Sequence, residues 1–284
     1  MSVAVVTDST AYLPAELARR LTVVPLTVVV DGRQGREGSE VTPADVTRAL
    51  AARPHAVTTS RPAPAEFIEV YQHLLTSGYT EVLSVHLSAR LSGTATAATL
   101  AAAEFGGRVT VVDSGSVGMG LGFPALAAVE AAAAGGDLIE VRAATVAAMA
   151  RTTTLFCVES LEFLRRGGRI GAAAALLGTA LAVRPILRMS EAGVVVSDRV
   201  RTSARALDRL VDLAVTWVGA DSATVVVHHL AAPDRAEVVA AAMVQRLGGR
   251  LLRQRVTEVG AAVGAQTGPG RVGVVVHRSV AHGG

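Results

Sequence analysis

Short aliphatic runs alternate with helical segments along the first half of the chain. Val3–Val6 is an uninterrupted aliphatic run, which is typical of a strand buried on both faces of a sheet. A polar break follows it, and Pro14 favours the first turn of a helix that continues to Arg20. The same patterns predict strands at 23–30, 81–87 and 109–113, a loop at 58–64, and helices that begin at Thr42 or cover 65–77, 96–105 and 124–134. Because strands and helices alternate, we expect a mostly parallel sheet with helices on both faces.

The pattern changes in the second half of the chain. Helices are predicted at 138–151, 161–166, 172–181, 203–218 and 233–247, and strands at 155–158, 185–189, 194–199, 225–229, 251–257 and 272–277. The strands at 185–189 and 194–199 should form a hairpin around Glu191-Ala192-Gly193. We therefore expect two α/β domains, residues 1–153 and 154–284. No linker separates them, which indicates that they pack together closely.

Composition excludes several classes of protein. Half of the residues are hydrophobic but only 3% are aromatic; a GC-rich genome would explain most of this bias, and a smooth apolar cavity the remainder. All 27 basic residues are arginine, and without lysine neither a P-loop nor a Schiff-base enzyme can be built. A formal charge of +3, with no interleaving of aromatic and basic residues, does not indicate binding to nucleic acid.

Cysteine content and hydropathy bear on metals and membranes. Cys157 is the single cysteine, so we expect no intrachain disulfide and no cysteine-based metal site. We also expect no other metal site and no cofactor. The longest apolar run, 172–183, is too short to span a bilayer, and the chain begins directly with a strand rather than with a signal sequence. We expect a soluble, cytoplasmic protein without stable membrane insertion.

Two runs rich in hydroxyl groups are the first candidates for a binding site. Thr59 and Ser60 precede Pro62, and Ser92 and Thr94 lie at the start of an alanine-rich helix. A helix N-terminus presents unpaired N–H groups that suit an anion such as a carboxylate. The alternatives are an ordinary helix N-cap at Ser92 and a Ser/Thr turn before Pro62.

A third polar run, Thr7–Thr10, supplies Asp8 and Ser9, which could brace the first two runs by hydrogen bonds. Asp8 could equally be a structural cap. If the polar runs hold an anionic head group and the aliphatic interior holds a tail, the chain is a carrier of an amphiphile.

Other motifs are less specific. The glycines at 115–122 lack the spacing of a dinucleotide loop, and a close approach of the backbone to a neighbour or a ligand explains them better. Arg165–Ile170 could face an acid group or a partner, or could be a helix C-cap with solvated arginines. Gly264–Gly270 is predicted to be a stiff turn that could close over a ligand. His228 and His229 are adjacent in a strand and point to opposite faces, so they make a poor metal clamp.

Seven of these runs together resemble the DegV family, in the family's order and over nearly the whole chain. They are Thr7-Asp8-Ser9-Thr10 with Leu13-Pro14, Thr59-Ser60-Arg61-Pro62, Leu91-Ser92-Gly93-Thr94, Asp113-Ser114, Gly167-Gly168-Arg169-Ile170, Pro185-Ile186-Leu187 and Gly268-Pro269-Gly270. No single run is specific, and the resemblance rests on their order and spacing.

The resemblance implies a two-domain α/β protein that encloses one long-chain fatty acid in a tunnel between or within its domains. It implies that Thr59 and Ser92 bind the carboxylate. From the residues themselves we expect Ser60, Thr94 and Gln266 beside them, and Asp8, Ser9, Arg61 and Arg169 in support. The resemblance also implies that a separate kinase subunit converts the presented acid to an acyl phosphate, while the binding subunit has no catalytic residues. Arg201 would correspond to an arginine used in docking that kinase.

The chain departs from the family's pattern at two of these positions. Gln266 stands where the family often has histidine, and Arg61 stands where it often has glutamine. Gln266 can donate a hydrogen bond but cannot carry a charge. Arg61 could strengthen anion binding or be solvated. These departures bear on competence with a kinase more than on lipid binding.

Two alternative functions remain open at this point. One is a serine-dependent hydrolase or transferase that uses Ser92 or Ser114 with Asp8 or Asp113, but neither hydroxyl run contains a histidine to act as the base. The other is a sensor that binds lipid and regulates a partner protein, which the sequence hardly distinguishes from a carrier.

Overall fold

The computed structural model describes residues 2–53, 56–176 and 183–279. Its strands are β1 Val3–Asp8, β2 Thr22–Val24, β3 Thr27–Val30, β4 Arg33–Arg36, β5 Val57–Ser60, β6 Glu81–His86, β7 Val109–Asp113, β8 Thr152–Cys157, β9 Arg184–Ser190, β10 Gly193–Val200, β11 Ser222–His229, β12 Leu251–Glu258 and β13 Val272–Ser279. Its α-helices are α1 Ala15–Ala18, α2 Pro43–Ala52, α3 Pro64–Thr76, α4 Thr94–Ala102, α5 Met119–Ala133, α6 Leu138–Ala150, α7 Glu162–Arg166, α8 Ser203–Val218, α9 Pro233–Leu247 and α10 Ala261–Thr267.

The first sheet contains four parallel strands in the order β2-β1-β6-β7. Successive residues of β1 face opposite sides of this sheet. Val3 and Val5 pack in one cluster with residues of α5 and α6, while Ala4 and Val6 pack in another with residues of α3 and α4. The α/β class and the parallel sheet with helices on both faces are therefore confirmed.

The segment predicted as one strand at 23–30 is in fact two strands in different sheets. Strand β2 ends at Val24, and β3 begins at Thr27 in a small antiparallel sheet of order β4-β3-β5. Pro25 has no N–H to donate to a ladder, so the chain leaves the first sheet there. The prediction of a loop from residue 58 is also wrong, because Thr58–Ser60 pair with β3. Exposed, threonine-rich β5 has no apolar periodicity of its own, and its pairing comes from tertiary contact.

The second sheet contains six strands in the order β10-β9-β8-β13-β11-β12. All neighbouring pairs are antiparallel except β11 and β12. The predicted hairpin is confirmed as β9 and β10. Helices α8 and α9 cover one face of this sheet, and the other face packs towards the first half of the chain. The predicted helix at 172–181 is a 3-10 helix over Gly171–Leu176, and 177–182 lie outside the described residues.

Helix α5 begins five residues before the predicted start, so Gly120 and Gly122 are helical and Pro124 is inside the helix. A Cβ at Gly120 would lie 2.1 Å from the Ser116 hydroxyl and 2.3 Å from that of Thr154. These glycines therefore permit close packing against neighbouring segments of the protein.

The second sheet begins with β8 at Thr152, beside the predicted domain boundary. However, α10 packs in one apolar cluster with Leu26, with Val28 of β3 and with Val46 of α2. A helix from the second half thus completes the core of the small sheet in the first half. The division at 153 and 154 remains a prediction. No helix among the described residues combines the length and apolar character needed to cross a membrane.

Candidate ligand-binding site

A narrow cavity lies among the parallel sheet, the small sheet, α10 and the six-stranded sheet. Its volume is about 70 Å³. Its apolar wall consists of Leu26, Leu87, Leu91, Val117, Phe156, Leu164, Met189, Val194, Ala262 and Val263. Its polar lining consists of Thr10, Thr59, Ser60, Arg61, Ser92, Arg169, Gln266, Thr267 and Arg271. Both halves of the chain therefore build the cavity, and its chemistry is amphiphilic.

The cavity borders the carboxyl ends of β1 and β6. Strand β2, the next strand in sequence, pairs with one edge of β1, and β6 pairs with the other edge. A reversal of this kind leaves a crevice beyond the strand ends, where open α/β sheets commonly bind ligands. The predicted position at a strand end is correct for Ser92, which follows β6. Thr59 instead lies within β5 of the small antiparallel sheet.

Asp8 holds this crevice together from behind the lining. One carboxylate oxygen accepts hydrogen bonds from the Thr10 N–H (3.1 Å) and the Thr10 hydroxyl (2.6 Å). The other accepts from the Leu87 N–H (2.9 Å) and from Nδ1 of His86 (3.0 Å). Asp8 is fully buried and does not line the cavity. Its hydrogen bond to Leu87 fixes the start of the loop that carries Ser92.

The Asp8–His86 contact continues to Ser84 and resembles a catalytic triad in composition. Nε2 of His86 lies 2.7 Å from the Ser84 hydroxyl, which in turn accepts a hydrogen bond from Tyr71 at 2.8 Å. All four side chains are buried, and none lines the cavity. A substrate in the cavity does not reach Ser84, so this chain of hydrogen bonds supports the fold of the crevice.

The residues of the predicted hydrolase are not arranged for nucleophilic catalysis. The Ser92 hydroxyl lies 2.9 Å from that of Thr94, and Ser114 hydrogen-bonds to the backbone of Ser116. Asp113 accepts hydrogen bonds from the N–H groups of Ala89 and Gly115. Within the described ranges, neither serine has a hydrogen bond to a histidine or a carboxylate.

Ser92 lies beside the N-terminus of α4 without capping it. Gly93 occupies the N-cap position, and no side chain among the described residues caps the helix there. Thr94 is fully buried behind Ser92 and is not part of the lining. The ordinary N-cap interpretation is therefore wrong for Ser92. Its hydroxyl and the first N–H groups of α4 are left to interact with a ligand.

Thr59 and Gln266 meet directly at the lining. The Gln266 Nε2 donates a hydrogen bond of 3.0 Å to the Thr59 hydroxyl, while Oε1 is buried with no hydrogen-bond partner among the described residues. Because the Thr59 hydroxyl accepts this hydrogen bond from Nε2, its own proton stays available for donation. The pair can thus supply a donor to an anion.

The predicted turn at 264–270 is wrong for its first four residues, because α10 continues to Thr267. Only Gly268-Pro269-Gly270 forms the turn. The backbone of Gly268 has a φ of +71°, and a Cβ there would lie 2.4 Å from the Phe163 ring. Gly268 is therefore required at the point where the chain leaves α10 for β13.

Glu37 positions α10, a role that was not predicted from sequence. This buried carboxylate accepts hydrogen bonds from Ser9 (2.5 Å), from Tyr12 (3.1 Å) and from the Ala262 N–H in the first turn of α10 (2.7 Å). Burial raises the pKa of Glu37. Ser9 also accepts a hydrogen bond from the N–H of Leu26 in the cavity wall. Ser9 therefore connects Glu37 to Leu26 behind the cavity wall, and its supporting role in ligand binding stays a prediction.

Arg61 and Arg169 flank the loop that carries Ser92. The Nε of Arg169 donates to the Leu91 carbonyl at 2.9 Å. Arg61 is exposed and lies against Gly93, where an added Cβ would be 2.3 Å from Nη1. Ser60 is exposed as well, and its hydroxyl is 3.4 Å from the backbone carbonyl of Arg61.

Arg271 was not identified from the sequence, although it is the most deeply buried cation of the lining. It is 3% exposed, and its guanidinium lies 5.2 Å from the centre of the Phe156 ring. Burial lowers the pKa of Arg271 to about 10. A single arginine beside a glycine-proline turn gives no sequence signal of burial.

The remaining candidates lie away from the cavity. Arg201 is exposed between β10 and α8. His228 is buried, and its Nε2 accepts the Met119 N–H at 3.1 Å. Cys157 is buried, as expected, and burial raises its pKa.

Comparisons with known proteins agree with this architecture. The family model for uncharacterised proteins of the DegV family matches residues 2–279. A DegV domain-containing protein of Streptomyces coelicolor is 49% identical over 96% of this chain and 98% of its own, and one of Mycobacterium bovis is 42% identical over 97% of both chains. The structure of a fatty-acid-binding DegV family protein from Thermus thermophilus superimposes with a TM-score of 0.91, at 35% identity and covering 98% of this chain and 100% of that one. DegV of Bacillus subtilis, a fatty-acid-binding protein, gives a TM-score of 0.87 at 28% identity, with the same coverage.

The fold and the amphiphilic cavity thus occur in a recognised class of α/β proteins. This chain belongs to the DegV family.

Proposed function

We propose that this protein binds one long-chain fatty acid, holds its carboxylate with Thr59, Ser92 and Gln266, and presents it to a separate kinase subunit. The observation that carries the first part is the convergence of these three side chains on a narrow cavity with an apolar wall. The fatty-acid binding described for the relatives from T. thermophilus and B. subtilis supports the same ligand class.

The energetics divide between the two parts of the ligand. Each buried CH₂ contributes roughly 0.8 kcal/mol, so a long acyl chain contributes on the order of 10 kcal/mol before ordering costs. A buried carboxylate must be hydrogen-bonded, and the hydroxyl and amide donors meet that need. The tail therefore supplies affinity, and the polar groups select an acid head group.

Mass spectrometry of an organic extract from a known amount of purified protein tests this ligand. We expect a fatty acid at close to one equivalent, and reduced retention in Ser92→Ala and Thr59→Val. Ser114→Ala is the matched control, because Ser114 borders a separate groove. An empty extract together with no uptake of added fatty acids would overturn the proposal.

Presentation to a kinase is supported by the exposure of part of the lining. Ser60 and Arg61 both line the cavity and are exposed, so the polar region of the cavity reaches the protein surface. Arg201 is exposed on the segment that follows β10, the strand that supplies Val194 to the wall. A docked protein could thus approach the head group without entering the apolar part.

Affinity capture with the loaded protein tests the partner. We expect to recover a kinase that forms acyl phosphate from ATP and the bound acid, with weaker transfer for Arg201→Ala than for the nearby exposed control Arg205→Ala. Recovery of a regulatory protein without such transfer would favour the sensor instead.

A further inference from the structure

Arg271 presents a buried positive charge to the cavity without an internal counter-ion. Its Nε and Nη1 atoms are buried and have no hydrogen-bond partner among the described residues. Among residues 2–53, 56–176 and 183–279, no carboxylate lies within ion-pair distance of the Arg271 guanidinium. Buried charges are normally paired, because an unpaired one loses its hydration without compensation.

The surroundings of Arg271 hold its guanidinium in place without neutralising it. The group lies over Gly273 of β13, where an added Cβ would be 3.5 Å from Nη2. Gly273 pairs with Phe156 on one side and with His228 on the other. The guanidinium therefore lies at van der Waals distance from β13, between Phe156 of β8 and His228 of β11.

None of the titratable groups that interact with Arg271 supplies a negative charge at neutral pH. Burial raises the pKa of Tyr12 and of Cys157, so both stay protonated. Burial lowers the pKa of His228 to about 3, so this ring is neutral. Arg271 itself remains charged, since its pKa is about 10.

We propose that Arg271 forms a second polar subsite in the cavity, which binds an oxygen function carried along the acyl chain of the ligand. The preferred ligand class is then an oxygenated long-chain fatty acid: a hydroxy acid, an oxo acid or an α,ω-dicarboxylic acid. This inference rests on the proposed function, because Thr59, Ser92 and Gln266 bind the first carboxylate there. An oxygen acceptor at Arg271 supplies the hydrogen bonds that Nε and Nη1 lack.

Displacement of a fluorescent fatty acid tests the subsite. The competitors are octadecanoic acid, its hydroxy and oxo derivatives along the chain, and octadecanedioic acid. The proteins are the wild type, Arg271→Met, which keeps length without charge, Arg271→Lys, and Arg255→Met as a control on the exposed side of β12. Thermal unfolding of each variant checks that it is folded.

We expect the wild type to bind at least one oxygenated acid about ten- to a hundredfold more tightly than octadecanoic acid, the range of a charge-assisted hydrogen bond. Arg271→Met should abolish that preference. Arg271→Lys should retain part of it, and Arg255→Met all of it.

Three results would overturn the inference, and they are distinguishable from one another. If wild-type protein binds octadecanoic acid as tightly as every oxygenated acid, the subsite is absent while the proposed function stands. This comparison needs only the wild-type protein, so it decides the matter even if Arg271→Met does not fold. If Arg271→Met weakens all acids equally, Arg271 binds the shared carboxylate. If no acid binds at all, the proposed function fails and the inference fails with it.

Discussion

The Gln266 amide donates a hydrogen bond of 3.0 Å to the Thr59 hydroxyl, across 207 positions of sequence. This contact joins α10 to β5 at the cavity. It also orders two side chains before a ligand arrives, which reduces the entropy lost on binding. The rigidity of α10 against the small sheet therefore matters as much as the chemistry of either side chain.

Gln266→Ala should weaken fatty-acid binding by about threefold to tenfold, which corresponds to the loss of one net hydrogen bond of about 0.5–1.5 kcal/mol. Gln266→His should bind fatty acid more tightly than Gln266→Ala below about pH 6.5, because a protonated imidazole adds a positive charge beside the carboxylate. Titration calorimetry at pH 5.5 and pH 8 measures both effects. Equal affinity of Gln266→Ala and the wild type would remove Gln266 from the clamp.

Gly167→Ala tests the role of the Gln266 amide without a substitution at Gln266. A Cβ at Gly167 would lie 1.8 Å from Oε1 of Gln266, while the backbone has an ordinary helical φ of −68°. The added methyl should therefore displace the glutamine side chain and weaken fatty-acid binding about as much as Gln266→Ala does. In a double variant that already carries Gln266→Ala, Gly167→Ala should weaken binding little further. Gly249→Ala, which meets no atom within 4 Å, is the control. Additive losses in the double variant would contradict this mechanism.

The parallel sheet and the crevice could largely be predicted from the sequence, because aliphatic runs such as Val3–Val6 leave few alternatives to a buried strand. The small sheet could not. Pro25 ended a strand inside a mainly aliphatic run, and β5 gained its partner only through tertiary contact with β3. The Thr59-Ser60-Arg61-Pro62 motif identified Thr59 as a candidate, but it did not predict that Thr59 lies within a strand.

The charged residues behind the site were harder to predict than the hydroxyls. Glu37 lies far in sequence from the α10 N–H group that it binds, and nothing in its local pattern indicates burial. Arg271 likewise becomes unusual only when the fold surrounds it with apolar residues. Sequence patterns report local conformation, whereas the need of a buried charge for a partner is set by tertiary structure.

Asp8→Asn should destabilise the protein by about 2–4 kcal/mol. The carboxylate accepts four hydrogen bonds, and the amide group of asparagine would turn a donor towards two of the existing donors. Urea denaturation measures the loss. Asp113→Asn is the matched control: this exposed aspartate also ends a parallel strand and accepts two backbone N–H groups, and it should cost about 1 kcal/mol. Similar losses in both variants would show that the buried network has no special role.

His228 should make the protein less stable as the pH falls. Burial, assisted by the charges of Arg271 and His229, lowers the pKa of His228 to about 3, compared with 6.5 when unfolded. Between these values the unfolded state binds the proton and the folded state does not, so stability is greatest above pH 6.5 and decreases towards pH 3, by up to about 5 kcal/mol.

His228→Gln keeps an acceptor for the Met119 N–H but does not titrate, so its stability should fall less over this range. Urea midpoints at several pH values from 7.5 to 4 compare the two proteins directly. His277, whose pKa burial lowers to about 4, contributes equally to both and cancels in the difference. Parallel pH curves would show that another group carries the acid sensitivity.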